Sequence, residues 1–249
     1  GLGVAVDVGT TTLVAQLLDL HTGHVLAVQT ALNAQARHGA DIMSRIEFAL
    51  RGHQADLQQC IRDQVGGLLT ELLAAVPQRA AELTAVVLVG NTVMHHLFSG
   101  VDVTPLAHHP FEPHEAGLQR FGARELGWTA AGDAAVWFLP CLGGFVGSDI
   151  LAGVLATRLH QTAELVALVD LGTNGEIILG NRERLLCAST AAGPAFEGAR
   201  ISQGMRAATG AIAAVSRADG QLRCQVLGGG EPRGICGSGL VDAVAVALD

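Results

Sequence analysis

Three short strings in this chain carry groups suited to a polyphosphate. Asp7-Val8-Gly9-Thr10-Thr11-Thr12 closes an apolar run with a carboxylate, then supplies a glycine and three hydroxyls. Asp170-Leu171-Gly172-Thr173-Asn174-Gly175-Glu176 repeats the arrangement. A carboxylate at a strand end can orient hydrated Mg2+, while hydroxyls and backbone N–H groups meet phosphate oxygens. The third string, Gly234-Ile235-Cys236-Gly237-Ser238-Gly239, runs into the apolar stretch Leu240 to Leu248. Its missing side chains let a sugar or base approach the backbone and a helix N-terminus. Each Asp-x-Gly-Thr turn taken singly also suits an ordinary tight turn, because Asp bonds its own backbone and Gly accepts positive φ. The recurrence favours the chemical reading: with Asp170 laid on Asp7, Val169 meets Val6, Gly172 meets Gly9 and Thr173 meets Thr10. The glycine order of the third string departs from the dinucleotide-binding G-x-G-x-x-G.

The elements that must position these groups follow from hydrophobic period. Gly3 to Val8 and Leu13 to Leu18 alternate as a hairpin around the first string, and Val25 to Thr30 reads as a third strand. Asp41 caps a helix over 41–50, and Leu57, Ile61, Val65, Leu68, Leu69, Leu72 and Leu73 mark one face of a longer helix closed by Pro77. Ala85 to Val89 is a strand that turns at Gly90-Asn91-Thr92 into a helix over 93–98. Residues 105–132, rich in Pro, His and Gly, read as an irregular excursion. A strand at Ala135 to Leu139 leads through a glycine-rich turn to Ser148-Asp149 and a helix to about Leu159. Leu165 to Leu171 and Ile177 to Leu179 form the second hairpin. The duplicated hairpin implies two lobes, 1–146 and 147–249, with a cleft between them.

Composition narrows the function classes. A length of 249 residues, 49% hydrophobic and 15% charged, describes a folded α/β chain with a full core. The net charge of -8 offers no broad positive field, which argues against nucleic-acid binding. No apolar run reaches membrane-spanning length and the first residues lack a signal-peptide pattern, so a cytoplasmic location without membrane partners is expected. The chain has no lysine, which removes P-loop and Schiff-base chemistry. Cys60, Cys141, Cys187, Cys224 and Cys236 are scattered, with no C-x-x-C pair, and read as buried free thiols.

With these strings in place, the chain resembles the superfamily of acetate and sugar kinases, chaperone ATPases and actin, whose phosphate 1, phosphate 2 and adenosine motifs occur in this order. A narrower likeness rests on Asn33-x-Gln35 with Gly39-Ala40-Asp41-Ile42, on Val89-Gly90-Asn91-Thr92-Val93-Met94-His95-His96, and on Gly193-Pro194-Ala195-Phe196-Glu197-Gly198-Ala199. These strings are similar to the ATPase part of the reductive activators of corrinoid proteins and of corrinoid methyltransferase activases. The resemblance implies an actin-like, ribonuclease H-like duplicated fold whose second lobe continues beyond this chain. It implies ATP and Mg2+ as ligands, a corrinoid protein as partner, and a reduced donor acting through an iron-sulfur domain outside these residues. A homodimer is left open.

Asp7 and Asp170 are then the expected metal-orienting carboxylates, and Asp149 the residue that orients the attacking water, with a helix-capping role as its rival. Gly9, Thr10, Thr11, Thr12, Gly172, Thr173, Asn174 and Gly175 would hold phosphates. Glu197, Gly234, Gly237, Ser238 and Gly239 would hold the nucleoside, and Glu176 could support the metal indirectly, with a surface or capping carboxylate as the alternative for either glutamate. Asn91 could reach phosphate or merely cap its helix. The histidines at 95, 96, 108, 109 and 114 are poor metal candidates, since adjacent histidines on a helix point apart. Arg45, Arg200 and Arg206 could neutralise phosphate, although such arginines more often sit exposed in ion pairs. A small-molecule kinase, a nucleotide-sensing protein-binding module and a catalytically silent scaffold are the alternatives.

Overall fold

The computed structural model describes residues 1–172, 174–190, 202–205, 210–218 and 220–248. They divide into two compact units, one of Gly1–Leu168 with Ile178–Ala188 and the other of Val169–Ile177 with Ser189–Asp249.

The first unit is built on a mixed sheet. Strands β1 (Leu2–Val8), β2 (Thr12–Asp19) and β3 (Val25–Leu32) form an antiparallel meander. Strand β4 (Leu83–Val89) lies parallel to β1 on its other side. A parallel neighbour needs a crossover, and α1 (Ile42–Phe48) and α2 (Gln54–Ala74) provide it. Helix α3 (Thr92–Ser99) follows β4, and β5 (Gln119–Gly122) and β6 (Ala135–Phe138) complete the order β3-β2-β1-β4-β6-β5.

The alternation in β1 and β2 buries Leu2, Val4, Val6, Val8, Leu13, Ala15 and Leu17 in the same core as the marked face of α2. All seven apolar residues on that α2 face are buried, each burial contributing about 2 kcal/mol of gross stabilisation. Asp41 caps α1 through a reciprocal box with Ser44. Between α1 and α2 the chain passes a π-turn at Ala49–His53, where Gly52 takes φ +96°.

Helix α4 (Ser148–Thr157) and strands β7 (Val166–Leu171), β8 (Gly175–Gly180) and β9 (Leu185–Thr190) follow, the three strands pairing in the order β7-β8-β9. In the second unit β10 (Ala211–Ala218) pairs antiparallel with β11 (Gln221–Val226) and parallel with the short β12 (Gly234–Ile235), and α5 (Gly237–Leu248) packs on β10.

Strands and helices therefore stand where the hydrophobic period requires them, with differences. The excursion at 105–132 contains β5, and β9, β10 and β11 carry no signal that the sequence reading used. The cysteines also differ from expectation. Cys141 and Cys236 are buried, but Cys187 in β9 and Cys224 in β11 are exposed. Among the described residues no helix is long and apolar enough to cross a membrane.

Candidate functional site

The first string forms the turn between β1 and β2. Asp7 is the exposed penultimate residue of β1, paired in register with Val14 and Val89. Gly9 must be glycine because a Cβ there would collide with the Thr12 carbonyl, which itself accepts from the Gly9 N–H at 3.1 Å.

Three successive carbonyls of this turn are capped from the protein interior. The Asn33 side-chain amide donates to Gly9 O at 2.9 Å, the Arg45 guanidinium to Thr10 O at 2.5 Å, and the Asn33 backbone N–H to Thr11 O at 2.8 Å. A trans peptide points its N–H opposite to its C=O, so the N–H groups of Thr10, Thr11 and Thr12 face away from this cap. Asn91 adds a fourth brace, donating from its amide to the Thr10 hydroxyl at 2.8 Å while its oxygen caps α3 by accepting from Met94 N–H at 3.0 Å. The first turn and the helix cap are thus served by one side chain. Thr10 is buried, Thr11 half-buried and Thr12 exposed.

Asp149 belongs to the same end of the sheet. The Ser148 N–H donates to Gly90 O at 2.9 Å, tying the start of α4 to the residue that follows β4, the strand beside Asp7. Gly147, not Asp149, is the N-cap of α4. The half-buried Asp149 carboxylate accepts from the Ile150 N–H at 2.8 Å, inside the first turn. Nearby Cys141 is pushed up to about 11, by burial first and by the Asp149 charge as well.

In the second unit Asp170 is exposed near the end of β7, and Gly172 and Asn174 flank Thr173, which lies outside the described residues. A Cβ on Gly172 would sit 3.0 Å from the Asn174 carbonyl. Gly175 opens β8, and the buried Glu176 accepts from the Ser189 hydroxyl at 3.4 Å. The third string forms β12 and the first turn of α5. Gly237 and Gly239 are buried there, the latter because the Ile212 carbonyl occupies the place of a Cβ. Ser238 donates to Ala213 O at 2.8 Å. Burial raises the Cys236 thiol, but the Gly239 and Ser238 hydrogen bonds outweigh it and leave it below its ordinary value. Glu197 and the Gly193 to Ala199 string lie outside the described residues, as do Arg200 and Arg206.

Two expectations are corrected by side-chain geometry. Arg45 is not an exposed ion-pair partner but is fully buried. His95 and His96 do not point apart. Both are fully buried and their Nδ1 atoms lie 3.3 Å from each other. His95 Nε2 donates to Gly117 O at 3.1 Å, which leaves its Nδ1 as the acceptor. His96 Nδ1 then carries the proton shared toward Thr92 O, at 2.9 Å. Burial pushes His96 down to about 4, with His95 adding to the shift. Among the described residues no group of three or more His, Cys, Asp or Glu could hold a metal.

A family model described as the RACo middle region matches residues 2–162, and one described as the C-terminal domain of RACo, the ASKHA domain, matches residues 164–249. This chain belongs to the RACo family. It is 35% identical over 246 residues to the corrinoid activation enzyme RamQ of Eubacterium limosum, covering 98% of this chain and 41% of that protein. It is 28% identical over 277 residues to a [Co(II) methylated amine-specific corrinoid protein] reductase of Methanosarcina barkeri, covering 99% of this chain and 50% of that one. The solved structure of a reductive activator for a corrinoid, iron-sulfur protein superposes with a TM-score of 0.88 at 38% identity, over 98% of this chain and 40% of that chain. The chain therefore spans half or less of the length of these relatives, and its mixed α/β architecture is of the actin-like class.

Proposed function

We propose that this chain binds Mg-ATP through its two phosphate hairpins and hydrolyses it, and that hydrolysis drives reduction of a corrinoid protein from Co(II) to Co(I). The electron would come from an iron-sulfur centre outside these residues. The observation that carries the nucleotide reading is the capping of the Gly9, Thr10 and Thr11 carbonyls, each of which directs the N–H of the following residue opposite to its cap, as the N–H groups of an anion-binding nest must be held. Membership of a family with an ASKHA domain supports it, and the names of the relatives support the corrinoid partner.

The residues fit the ligand. Asp7 and Asp170 are both exposed carboxylates at strand ends, suited to holding the water shell of Mg2+. Bound Mg2+ would supply charge neutralisation on the phosphate oxygens. Thr11, Thr12, Thr173, Asn174 and the glycines of both turns would bind phosphate oxygens, and Gly234, Gly237, Ser238, Gly239 and Glu197 would receive the nucleoside. Asp149 would orient the attacking water. The differential contacts made by the triphosphate before hydrolysis, and lost after it, would drive a conformational change of the chain.

Phosphate release tests this reading. Asp149→Ala should lower turnover about a hundredfold while Mg-ATP affinity holds within about threefold. A Co(II) corrinoid protein, with a reductant and an iron-sulfur donor, should be reduced only in the presence of ATP. Unchanged turnover in the variant would remove Asp149 from the chemistry, and phosphate appearing on a small-molecule acceptor instead of in solution would make the chain a kinase.

A further inference from the structure

Arg45 is a cation in an unusual setting. It is fully buried, and its guanidinium spends its hydrogen bonds on neutral acceptors: Thr10 O at 2.5 Å, Gly39 O at 3.0 Å and Gln35 Oε1 at 3.3 Å, with Met94 Sδ at 3.5 Å. Among the described residues no carboxylate lies within ion-pair distance of it. Asp41 is the largest favourable charge acting on it, but that carboxylate is exposed and engaged in capping α1. Burial lowers Arg45 only to about 10, so it keeps its charge at neutral pH. A buried, unpaired guanidinium is costly, and a fold that tolerates one gains something from it.

The gain lies in what Arg45 touches. Thr10 C=O and Thr11 N–H belong to one peptide group, so a cation bonded to the oxygen fixes the plane of that group and polarises its N–H. Gln35 anchors the arrangement from behind. It is fully buried, its oxygen accepts from Arg45, and its amide donates to Leu57 O of α2 at 2.9 Å. The chain of contacts runs from α2 through Gln35 and Arg45 to the middle of the first phosphate turn.

We propose that Arg45 is a positioning residue for the phosphate turn, holding the Thr10–Thr11 peptide with its N–H toward the ligand and drawing its own counter-charge from the bound triphosphate. The inference rests on the nucleotide reading above and deepens it. It assigns phosphate selectivity to a side chain that does not itself meet the phosphate. A guanidinium is required because one plane must serve Thr10 O, Gly39 O and Gln35 Oε1 together, and an ammonium cannot reproduce that fork.

The test is equilibrium binding of Mg-ATP and, separately, of adenosine to the full chain as wild type, Arg45→Lys and Arg45→Met, with melting curves for each. Arg45→Met should bind Mg-ATP at least about tenfold more weakly, while adenosine affinity stays within about twofold. Arg45→Lys, which keeps the charge, should recover part of the Mg-ATP affinity and should decide the matter if the methionine variant fails to fold. Mg-ATP should also raise the melting temperature of wild type more than that of Arg45→Met at equal ligand concentration. Equal proportional loss of adenosine and Mg-ATP binding would reduce Arg45 to a packing role and overturn the inference. Unchanged Mg-ATP affinity in both variants would overturn it while leaving the nucleotide site intact. A wild type that binds adenosine but not Mg-ATP would bring down the nucleotide reading and this inference together.

Discussion

The two Asp-x-Gly-Thr hairpins share a motif and differ in how they are held. In the first, Asn33, Arg45 and Asn91 reach the Gly9–Thr11 turn from three separate elements and fix its carbonyls and one hydroxyl. In the second, among the described residues, the Asn174 carbonyl and the Asp170 carboxylate lie beside Gly172, and Ser189 of β9 donates to Glu176. Leu171 is 74% exposed and Val169 52%, whereas Val8 and Val6, at the matching places of the first hairpin, are 0% and 1%. A shared Asp-x-Gly-Thr string therefore specifies the turn, and the surrounding elements decide how firmly it is preset.

That contrast can be broken by removing braces. The largest effect should come from Asn33→Ala, which strips the cap from Gly9 O and the bond to Gln35 N–H in a fully packed setting. About 3 kcal/mol of stability should be lost in urea titration, and a loss below about 1 kcal/mol would mean the first turn is no better held than the second. Acid should act next. The folded state keeps His96 neutral down to about 4, so between there and the unfolded value near 6.5 the unfolded chain binds the extra proton. Stability is then complete above the unfolded value and falls as pH drops, by about 2 kcal/mol between pH 7.5 and 5. His96→Gln should flatten this slope, and an unflattened slope would place the titrating group elsewhere.

Asn91→Ala should cost about 1–2 kcal/mol, because it removes the α3 cap together with the hold on the Thr10 hydroxyl. Its effect should exceed that of Leu171→Ser in the second hairpin, which should stay within about 0.5 kcal/mol. A larger cost at Leu171 than at Asn91 would reverse the comparison.

Much of this was legible beforehand. Leu57 to Leu73 mark the buried face of α2 by period alone, Asp41 and Asn91 cap their helices by residue type, and the first hairpin follows from alternation, the second from an apolar run that ends in the repeated string. The brace was not. Asn33 and Gln35 stand out as two amides at the end of an apolar strand, but nothing in their spacing names a carbonyl 24 residues away as the partner. Arg45 is harder still, since an arginine aimed at neutral carbonyls leaves no complementary charge in the sequence to pair it with. The facing of His95 and His96 was missed because side-chain tilt in the first turns of α3, packed against Phe138 and Gly117, overrides the usual divergence of neighbours on a helix.

The most direct test of the account is titration of wild type, Asp7→Ala and Asp170→Ala with Mg-ATP, followed at constant ionic strength. Both variants should bind at least about tenfold more weakly while adenosine binding persists. Wild-type affinity in either variant would contradict a triphosphate shared by the two hairpins.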